Sequence, residues 1–279
     1  EPLCPLQFKV IKSKFITFIF QKYLLKRDIR KFKKSLIYYF FFRIIRNFLS
    51  QDIIINIYNF KVYGSTNRNK TSYFLLKKCE FEDYHELNTL NKISNNNKIL
   101  FIDCGCNYGF YSLYVASLSK ENKIISVEAS KKTLEEFSRN LTLNNFSNID
   151  LYNNAISDLD EKIITFNESE KDWESSIVHQ DYKSYASSII NSIKIDTLVQ
   201  DYELEKYKII IKLDIEGNEM SGIQGSLELI EKSSPLIIIE FSKYIFNNKD
   251  NIEYLKNFLI RYDYSIYDTN NKKRGLNNI

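Results

Sequence analysis

The chain has 279 residues, enough to bury a full core and to form one sizeable domain plus an extension. Lys, Asn, Ile, Tyr and Phe dominate while Pro (3) and Gly (7) are scarce, a bias resembling the product of an AT-rich genome, so a single Asn or Lys means less than usual. The formal net charge of +4 hides a divided chain: residues 1–50 hold 12 Lys+Arg against 2 acids and the remainder 27 against 33, a basic arm on a mildly acidic body. Four cysteines (Cys4, Cys79, Cys104, Cys106) make no evident disulfide framework, which favours a reducing, cytoplasmic compartment. A C-x-C pair without a second Cys/His cluster is a poor zinc site. The chain opens at Glu1 without Met, so a missing or processed upstream segment is expected and a lost signal stays open.

Residues 1–50 interleave aromatics and bases, from Phe15, Phe18 and Phe20 to Lys31, Lys33, Lys34 and the run Ile37–Phe42, Arg43, Arg46. The apolar runs are too short and interrupted for a membrane span, which needs ~20 apolar residues. Three readings remain. The arm is an interfacial helix on an anionic membrane, one or two helices packed on the domain or on a second copy of the chain, or a phosphate-tracking surface for nucleic acid. The packing reading is favoured and the nucleic-acid one disfavoured. Asp52 to Tyr63 is β-branched and aromatic and predicts a strand or hairpin. Cys79 to Ile93 places Phe81, Tyr84, Leu87 and Leu90 at helical spacing, with His85 as a surface or packing residue. The predicted organisation is an extension over 1–50, a lead-in over 51–97 and the main domain over 98–279.

The stretch from Lys98 to Glu128 is the centre of the main domain. The apolar run Ile99–Ile102 ends in Asp103, followed by Gly105, Cys106, Asn107, Tyr108 and Gly109, an apolar-periodic helix over Phe110–Leu118, and a second apolar strand, Ile124–Val127, closing on Glu128. That is one βαβ unit with a glycine turn. Gly105 and Gly109 tolerate positive φ and let the backbone approach a ligand. Glu128 at a strand tip can accept two hydrogen bonds from a ribose diol. A nicotinamide-type site would read G-x-G-x-x-G. Here Asp103 begins the loop and Asn107 stands at its middle, which suits a ligand with a cationic amino-acid end, such as S-adenosylmethionine, better than a pyrophosphate.

Downstream, Ser130 caps a helix over Lys131–Leu143. Strands are predicted at Asn148–Tyr152, Glu161–Phe166 (an edge strand), Ile193–Leu198, Lys208–Leu213, Leu236–Ile239 and Tyr264–Tyr267, and helices at Thr197–Glu205, Met220–Ile230 and Ile252–Ile260. Residues 167–191 are polar and irregular, a lid, a binding loop or disorder, carrying Ser175, Ser176, His179 and Trp173, which either stacks on a substrate or anchors the loop by packing. Strands alternating with helices predict an α/β fold with a doubly wound, mostly parallel Rossmann-like sheet. Asp103, Glu128, Asn153, Asp214 and Glu240 fall at strand carboxyl ends, where such sheets bind ligands.

With FIDCGCNYGFYS, Asn140-Leu-Thr-Leu-Asn144, NNAISD at 153–158, KIDTL, IKLDIEGNE at 211–219 and PLIIIE at 235–240 in this order, residues 98 to 241 resemble the FkbM-type S-adenosylmethionine-dependent methyltransferases. Cys106 departs mildly from the small residue usual at its place. The resemblance implies O-methylation of a sugar, glycan or secondary-metabolite hydroxyl. Within it, Gly105, Asn107 and Gly109 are assigned to the methionine end of the cofactor with Asp103 on its amino group, Glu128 to the ribose, and Asn154 and Ala155 to the adenine. Lys212, Asp214, Glu216 and Glu219 are the chemical candidates. Asp214 is the first choice as base or metal ligand, with Glu240 able to join it around Mg²⁺, and His179 is a weaker base candidate. The competing structural role is that Asp214 and Glu216 cap the following helix, neutralised by Lys212. Two alternatives are a nucleic-acid methyltransferase, against which the Asn/Asp-Pro-Pro-aromatic loop is absent, and a non-catalytic adaptor for a membrane or partner that keeps the fold.

Overall fold

The computed structural model describes residues 7–10, 53–64, 84–169, 184–241, 248–268 and 272–274. Two compact units emerge: residues 1–84 with 138–145, and 85–137 with 146–279. The readings of the basic arm fall outside the described residues, apart from the short strand β1 (Gln7–Val10), which pairs antiparallel with β2 (Ile53–Ile57). β2 turns back through Tyr58 and Asn59 into β3 (Phe60–Gly64), with Tyr58 at φ 47°, so of the strand or hairpin expected over 52–63 it is the hairpin that forms. Ile55, Ile57, Phe60 and Val62 give this unit its buried face. The free edge of β3 is closed by two asparagines one helical turn apart. Asn140 Oδ1 accepts the Tyr63 N–H at 2.8 Å, while Asn144 takes the Lys61 N–H and donates to the Lys61 carbonyl, both at 2.6 Å. An unpaired edge is thereby satisfied by side chains. Among the described residues no helix is long and apolar enough to cross a membrane.

The second unit starts with α1 (Tyr84–Ser94), whose Leu87 and Leu90 are buried while His85 is exposed. Then follow β4 (Ile99–Cys104), α2 (Phe110–Leu118), β5 (Lys123–Val127), α3 (Lys131–Asn144), β6 (Ile149–Tyr152), β7 (Ala155–Ile156), β8 (Ile163–Ser169), β9 (Ser184–Ile193) and α4 (Ile195–Leu198). The unit ends with β10 (Lys208–Leu213), α5 (Glu219–Gln224), α6 (Leu227–Ser233), β11 (Leu236–Ile239), α7 (Lys249–Arg261), β12 (Ile266–Tyr267) and β13 (Lys273–Arg274). Five strands make one parallel sheet in the order β11-β10-β4-β5-β6. Strands of Ile, Leu, Val and Phe without alternation need cover on both faces, and parallel pairing with helical crossovers provides it. On one face Leu100, Ile102, Ile125, Ile209 and Ile211 pack with Met220, Ile223, Leu229, Ile230, Leu255 and Phe258 of α5, α6 and α7. The alternating residues Phe101 and Asp103 of β4 therefore point to the opposite face.

Four expectations are corrected. Much of the stretch read as irregular is strand: β9 pairs antiparallel with β8, and through Ala155 and Ile156 parallel with β7, in a separate sheet of order β7-β9-β8. The alternation in β9 is masked because its inward positions include small polar Ser188 and Ser192 beside Ile190. The strand expected over 193–198 gives way to the single turn α4, and the helix expected to follow shrinks to a 3-10 turn, Leu204–Lys206. The final strand is two residues long and pairs with β13 instead of extending the parallel sheet. Trp173, Ser175, Ser176 and His179 lie outside the described residues.

Candidate active site

Ligand sites in open parallel sheets form where neighbouring crossovers diverge at the strand carboxyl ends. Here β4 leaves the sheet at Gly105, with φ 76°, and the Gly105 and Cys106 N–H groups both donate to the Val127 carbonyl at 2.9 and 3.0 Å. A Cβ on Gly105 would stand 1.9 Å from the Asp214 carbonyl oxygen, so glycine is required for the tips of β4 and β10 to meet. Asn107, also left-handed at φ 51°, turns its N–H onto Glu128 Oε2 at 2.9 Å, while the Ser130 N–H holds Oε1 at 2.8 Å. Glu128 thus straps the glycine loop to the tip of β5. Burial, opposed by these two amide bonds, pushes its carboxyl up to about 7.

Around this strap lies a cavity of about 270 Å³ lined by the glycine loop, the tip of β5, the 154–156 segment, Phe166 and the β10 and β11 tips. Four carboxylates face it, Glu128, Asp214, Glu216 and Glu240, and no described Lys or Arg does. Beneath it a polar row crosses the sheet: Lys212, Asp103 and Ser126 are register partners on β10, β4 and β5. Ser112 of α2 donates to Asp103 Oδ2 at 2.5 Å and lies 2.7 Å from the Ser126 hydroxyl. Asp103 is 1% exposed, and burial raises its carboxyl despite the Lys212 ammonium nearby. Lys212 is 7% exposed, its Nζ 2.6 Å from Asp214 Oδ2 and 4.9 Å from the centre of the Tyr111 ring.

Burial would raise Asp214, but the Lys212 ammonium and hydrogen bonds from Glu240 and Lys212 hold it below the usual carboxylate range. Glu240 goes the other way: its hydrogen bond and repulsion with Asp214 push it up to about 8. The opposite directions have one cause: the Lys212 ammonium bonded to Asp214 favours charge on Asp214 over Glu240. Glu216 completes the group, with one oxygen of each of the three acids within 4.8 Å of the others. Its backbone is left-handed at φ 53°, followed by Gly217 at 103°. This turn is held from several sides. Glu219 Oε1 accepts the Gly217 and Ile215 N–H groups at 3.0 and 3.3 Å, Asn218 Nδ2 donates to the Ile156 carbonyl at 2.8 Å, and Ser221 Oγ donates to Asp158 Oδ1 at 2.9 Å.

The structure brings Gly105, Asn107, Glu128, Asn154, Ala155, Asp214, Glu216 and Glu240 to one cavity. Asp103 and Lys212 stand behind its wall. Gly109 does not line it. Gly109 precedes α2 with φ 79°, and a Cβ there would be 2.0 Å from the buried Phe137 ring, so its role on this geometry is helix entry and packing. Glu219 is a loop brace, with Oε2 buried and lacking a hydrogen-bond partner. Phe166, Ala129, Ile156 and Ile215 also line the cavity and were not singled out from the sequence. An aromatic inside an apolar edge strand was the one available signal for Phe166.

Residues 103–266 match the family model for the methyltransferase FkbM domain, more than half of the chain. The chain belongs to the FkbM methyltransferase family. No curated protein is significantly similar to this FkbM-domain sequence. Solved structures share its general layout at low identity. They include a SAM-dependent methyltransferase from Agrobacterium tumefaciens (15% identity, 37% of this chain and 32% of that one, TM-score 0.30). They also include M. jannaschii TYW2 with AdoMet (12%, 78% and 75%, 0.40) and the N-terminal domain of human METTL16 with SAH (15%, 66% and 62%, 0.35). The FkbM-domain chain spans about a third of the Agrobacterium protein. Likenesses at this level carry no inference about ligand or substrate.

Proposed function

We propose that this FkbM-family chain is an S-adenosylmethionine-dependent O-methyltransferase acting on a hydroxyl of a sugar, glycan or secondary metabolite. The observation that carries the reading is the cavity itself, where a glycine loop and a ribose-ready carboxylate meet three further acids and, among the described residues, no Lys or Arg. Such a lining repels a pyrophosphate and attracts a sulfonium with an α-amino group. Asn107 supports the fit: its Oδ1 is buried without a hydrogen-bond donor, a position for an ammonium N–H.

The bound cofactor would supply an electrophilic methyl group on a sulfonium. The chain's part is to place an acceptor oxygen in line with that methyl and to receive the hydroxyl proton as the C–O bond forms. Asp214 is the acceptor of that proton, with Glu240 as the partner through which it leaves. Lys212 keeps Asp214 ionised from behind. Asp214, Glu216 and Glu240 are the residues that would hold a divalent cation here, with the Lys212 ammonium competing for Asp214, and a cation so held would supply charge stabilisation at the acceptor oxygen.

The test is calorimetric titration with S-adenosylmethionine and, separately, NADH, on wild type and Glu128→Ala, followed by transfer of labelled methyl to a panel of sugars and hydroxylated metabolites. Binding of the methionine cofactor alone, weakened in the variant, supports the reading. Binding of neither ligand moves the adaptor alternative to the front.

A further inference from the structure

Two carboxylates compete for the Lys212 ammonium. Asp103 is the register partner of Lys212 on β4, so the two side chains leave adjacent parallel strands toward the same face of the sheet. Asp214 follows one residue beyond the end of β10, on the same parity as Lys212. Asp103 is the deeper of the two acids, 1% exposed, and its buried Oδ1 has no hydrogen-bond partner. An unpaired carboxylate oxygen in that setting makes the stronger demand for an ammonium N–H, so burial alone would join Lys212 to Asp103. The ammonium is bonded instead to Asp214 Oδ2, at 2.6 Å, although the Asp214 side chain is 35% exposed. Two successive residues in the first turn of α2 account for the choice. Ser112 supplies Asp103 with a hydroxyl donor, and Tyr111 sets the centre of its ring 4.9 Å from Lys212 Nζ. A ring face attracts an ammonium within about 6 Å, most strongly where the cation is withdrawn from water as Lys212 is.

We propose that Tyr111 is a positioning residue, whose ring holds the Lys212 ammonium on the Asp214 side against the pull of the deeper Asp103. The helix that opens after the glycine loop thereby decides which of two acids the buried cation serves. The consequence for methyl transfer rests on the role proposed above for Asp214, whereas the choice of carboxylate stands apart from that reading.

The experiment is a pair of double-mutant cycles, read by urea denaturation of the full chain in a chelating buffer so that no divalent cation competes for Asp214. One cycle combines Lys212→Met with Asp214→Asn and the other Lys212→Met with Asp103→Asn. Each is run in the wild type and in the Tyr111→Phe and Tyr111→Leu backgrounds. Tyr111→Phe keeps the ring face and is expected to leave both couplings within about 2-fold of wild type, as unfolding equilibrium constants. Tyr111→Leu is expected to weaken the Lys212–Asp214 coupling by about 2- to 30-fold, the range that a cation–π contact contributes, and to strengthen the Lys212–Asp103 coupling. A tyrosine that only fills space leaves both couplings unchanged in a folded leucine variant, and that result overturns the proposal. Should a variant fail to fold, Tyr111→Phe is compared with Tyr111→3,4,5-trifluorophenylalanine, of similar shape and weaker ring face, in spectra of ε-¹³C-lysine. The upfield shift that the ring gives the Lys212 methylene is expected to shrink on fluorination, and an equal shift in both overturns the proposal. With an acceptor from the panel above, Tyr111→Leu is expected to lower kcat while the KM for S-adenosylmethionine stays within about 2-fold, and added Asp103→Asn to restore part of the loss. Loss without restoration overturns the positioning role. Absence of any methyl transfer removes the proton-acceptor reading of Asp214, and the cycles then decide the choice of carboxylate by themselves.

Discussion

Gly105→Ala is the most informative single perturbation, because it strikes the point where the glycine loop and the tip of β10 touch. The new methyl would lie 1.9 Å from the Asp214 carbonyl oxygen, a backbone atom that no side-chain rotation can remove. The residue would also hold φ 76°, which costs an L-amino acid about 1–2 kcal/mol. Separating the tips of β4 and β10 stretches the Asp214 N–H to Cys104 carbonyl bond of 3.1 Å, worth about 1 kcal/mol. Residual overpacking adds about 1–3 kcal/mol. The expected loss is about 3–6 kcal/mol, on the order of 10 °C in Tm for a chain of this size. Gly222→Ala is the internal control: its Cβ would meet the Leu213 Cδ2 at 2.9 Å, a movable side-chain end, and it sits in a helix that favours alanine. That variant should remain within about 1 kcal/mol of wild type. Urea denaturation of both, with cofactor titration of the folded fraction, decides the matter. Equal stability of the two variants would refute the contact and its consequences.

Other outcomes follow from the same geometry. The Glu128 carboxyl is raised from 4.5 to about 7 by burial, so its contribution is greatest below the unfolded value and falls as pH climbs through about 7, by roughly 3 kcal/mol across that window. Glu128→Gln should flatten the stability profile between pH 5 and pH 7.5, measured by urea midpoints. Parallel curves would exclude the titration. Asp196 accepts the Glu228 and Leu229 N–H groups at 3.1 and 2.9 Å, so Asp196→Ala should cost about 1 kcal/mol in denaturation without altering cofactor affinity. With an acceptor in hand, the methyl-transfer rate should rise with pH until the Glu240 carboxyl, pushed up to about 8, has lost its proton. Asp214→Asn should erase that limb and lower kcat by about 10²- to 10⁴-fold, with cofactor binding nearly kept; an unchanged pH–rate profile would remove Asp214 and Glu240 from the chemistry.

Apolar periodicity made the parallel sheet legible, because buried strands admit few polar residues and their ends are punctuated by Asp103, Glu128, Asp214 and Glu240. Register and small-residue strands were not legible. β9 hides its alternation behind serine, and α4 is set by Asp160, whose carboxylate takes the Lys194 N–H and the Thr197 hydroxyl at 2.8 Å each, a long-range contact that no local pattern announces. Discounting asparagine as compositional bias concealed real work. Asn122 accepts the Ile99 N–H at 3.0 Å and donates to the Val115 carbonyl at 3.0 Å, fixing the start of β4, and Asn140, Asn144 and Asn218 serve comparable backbone groups. In the site, residue types at strand tips pointed to residues that do line one cavity, Glu128, Asp214 and Glu240. Which of them face the cavity depended on β-strand parity and loop dihedrals, and this moved Asp103 and Gly109 behind the wall and brought Phe166 into it.

Glu216 occupies a backbone conformation in which glycine or asparagine would rest more comfortably, by about 1 kcal/mol. Most substitutions weaken a fold, but at this position the gentlest replacements are those that discard the carboxylate. A library of this chain ranked for thermostability alone would therefore tolerate Gly or Asn at 216, whereas one ranked for turnover would retain the acid. The divergence between two such selections at a single codon would tell whether the third carboxylate of the cavity is held there for chemistry.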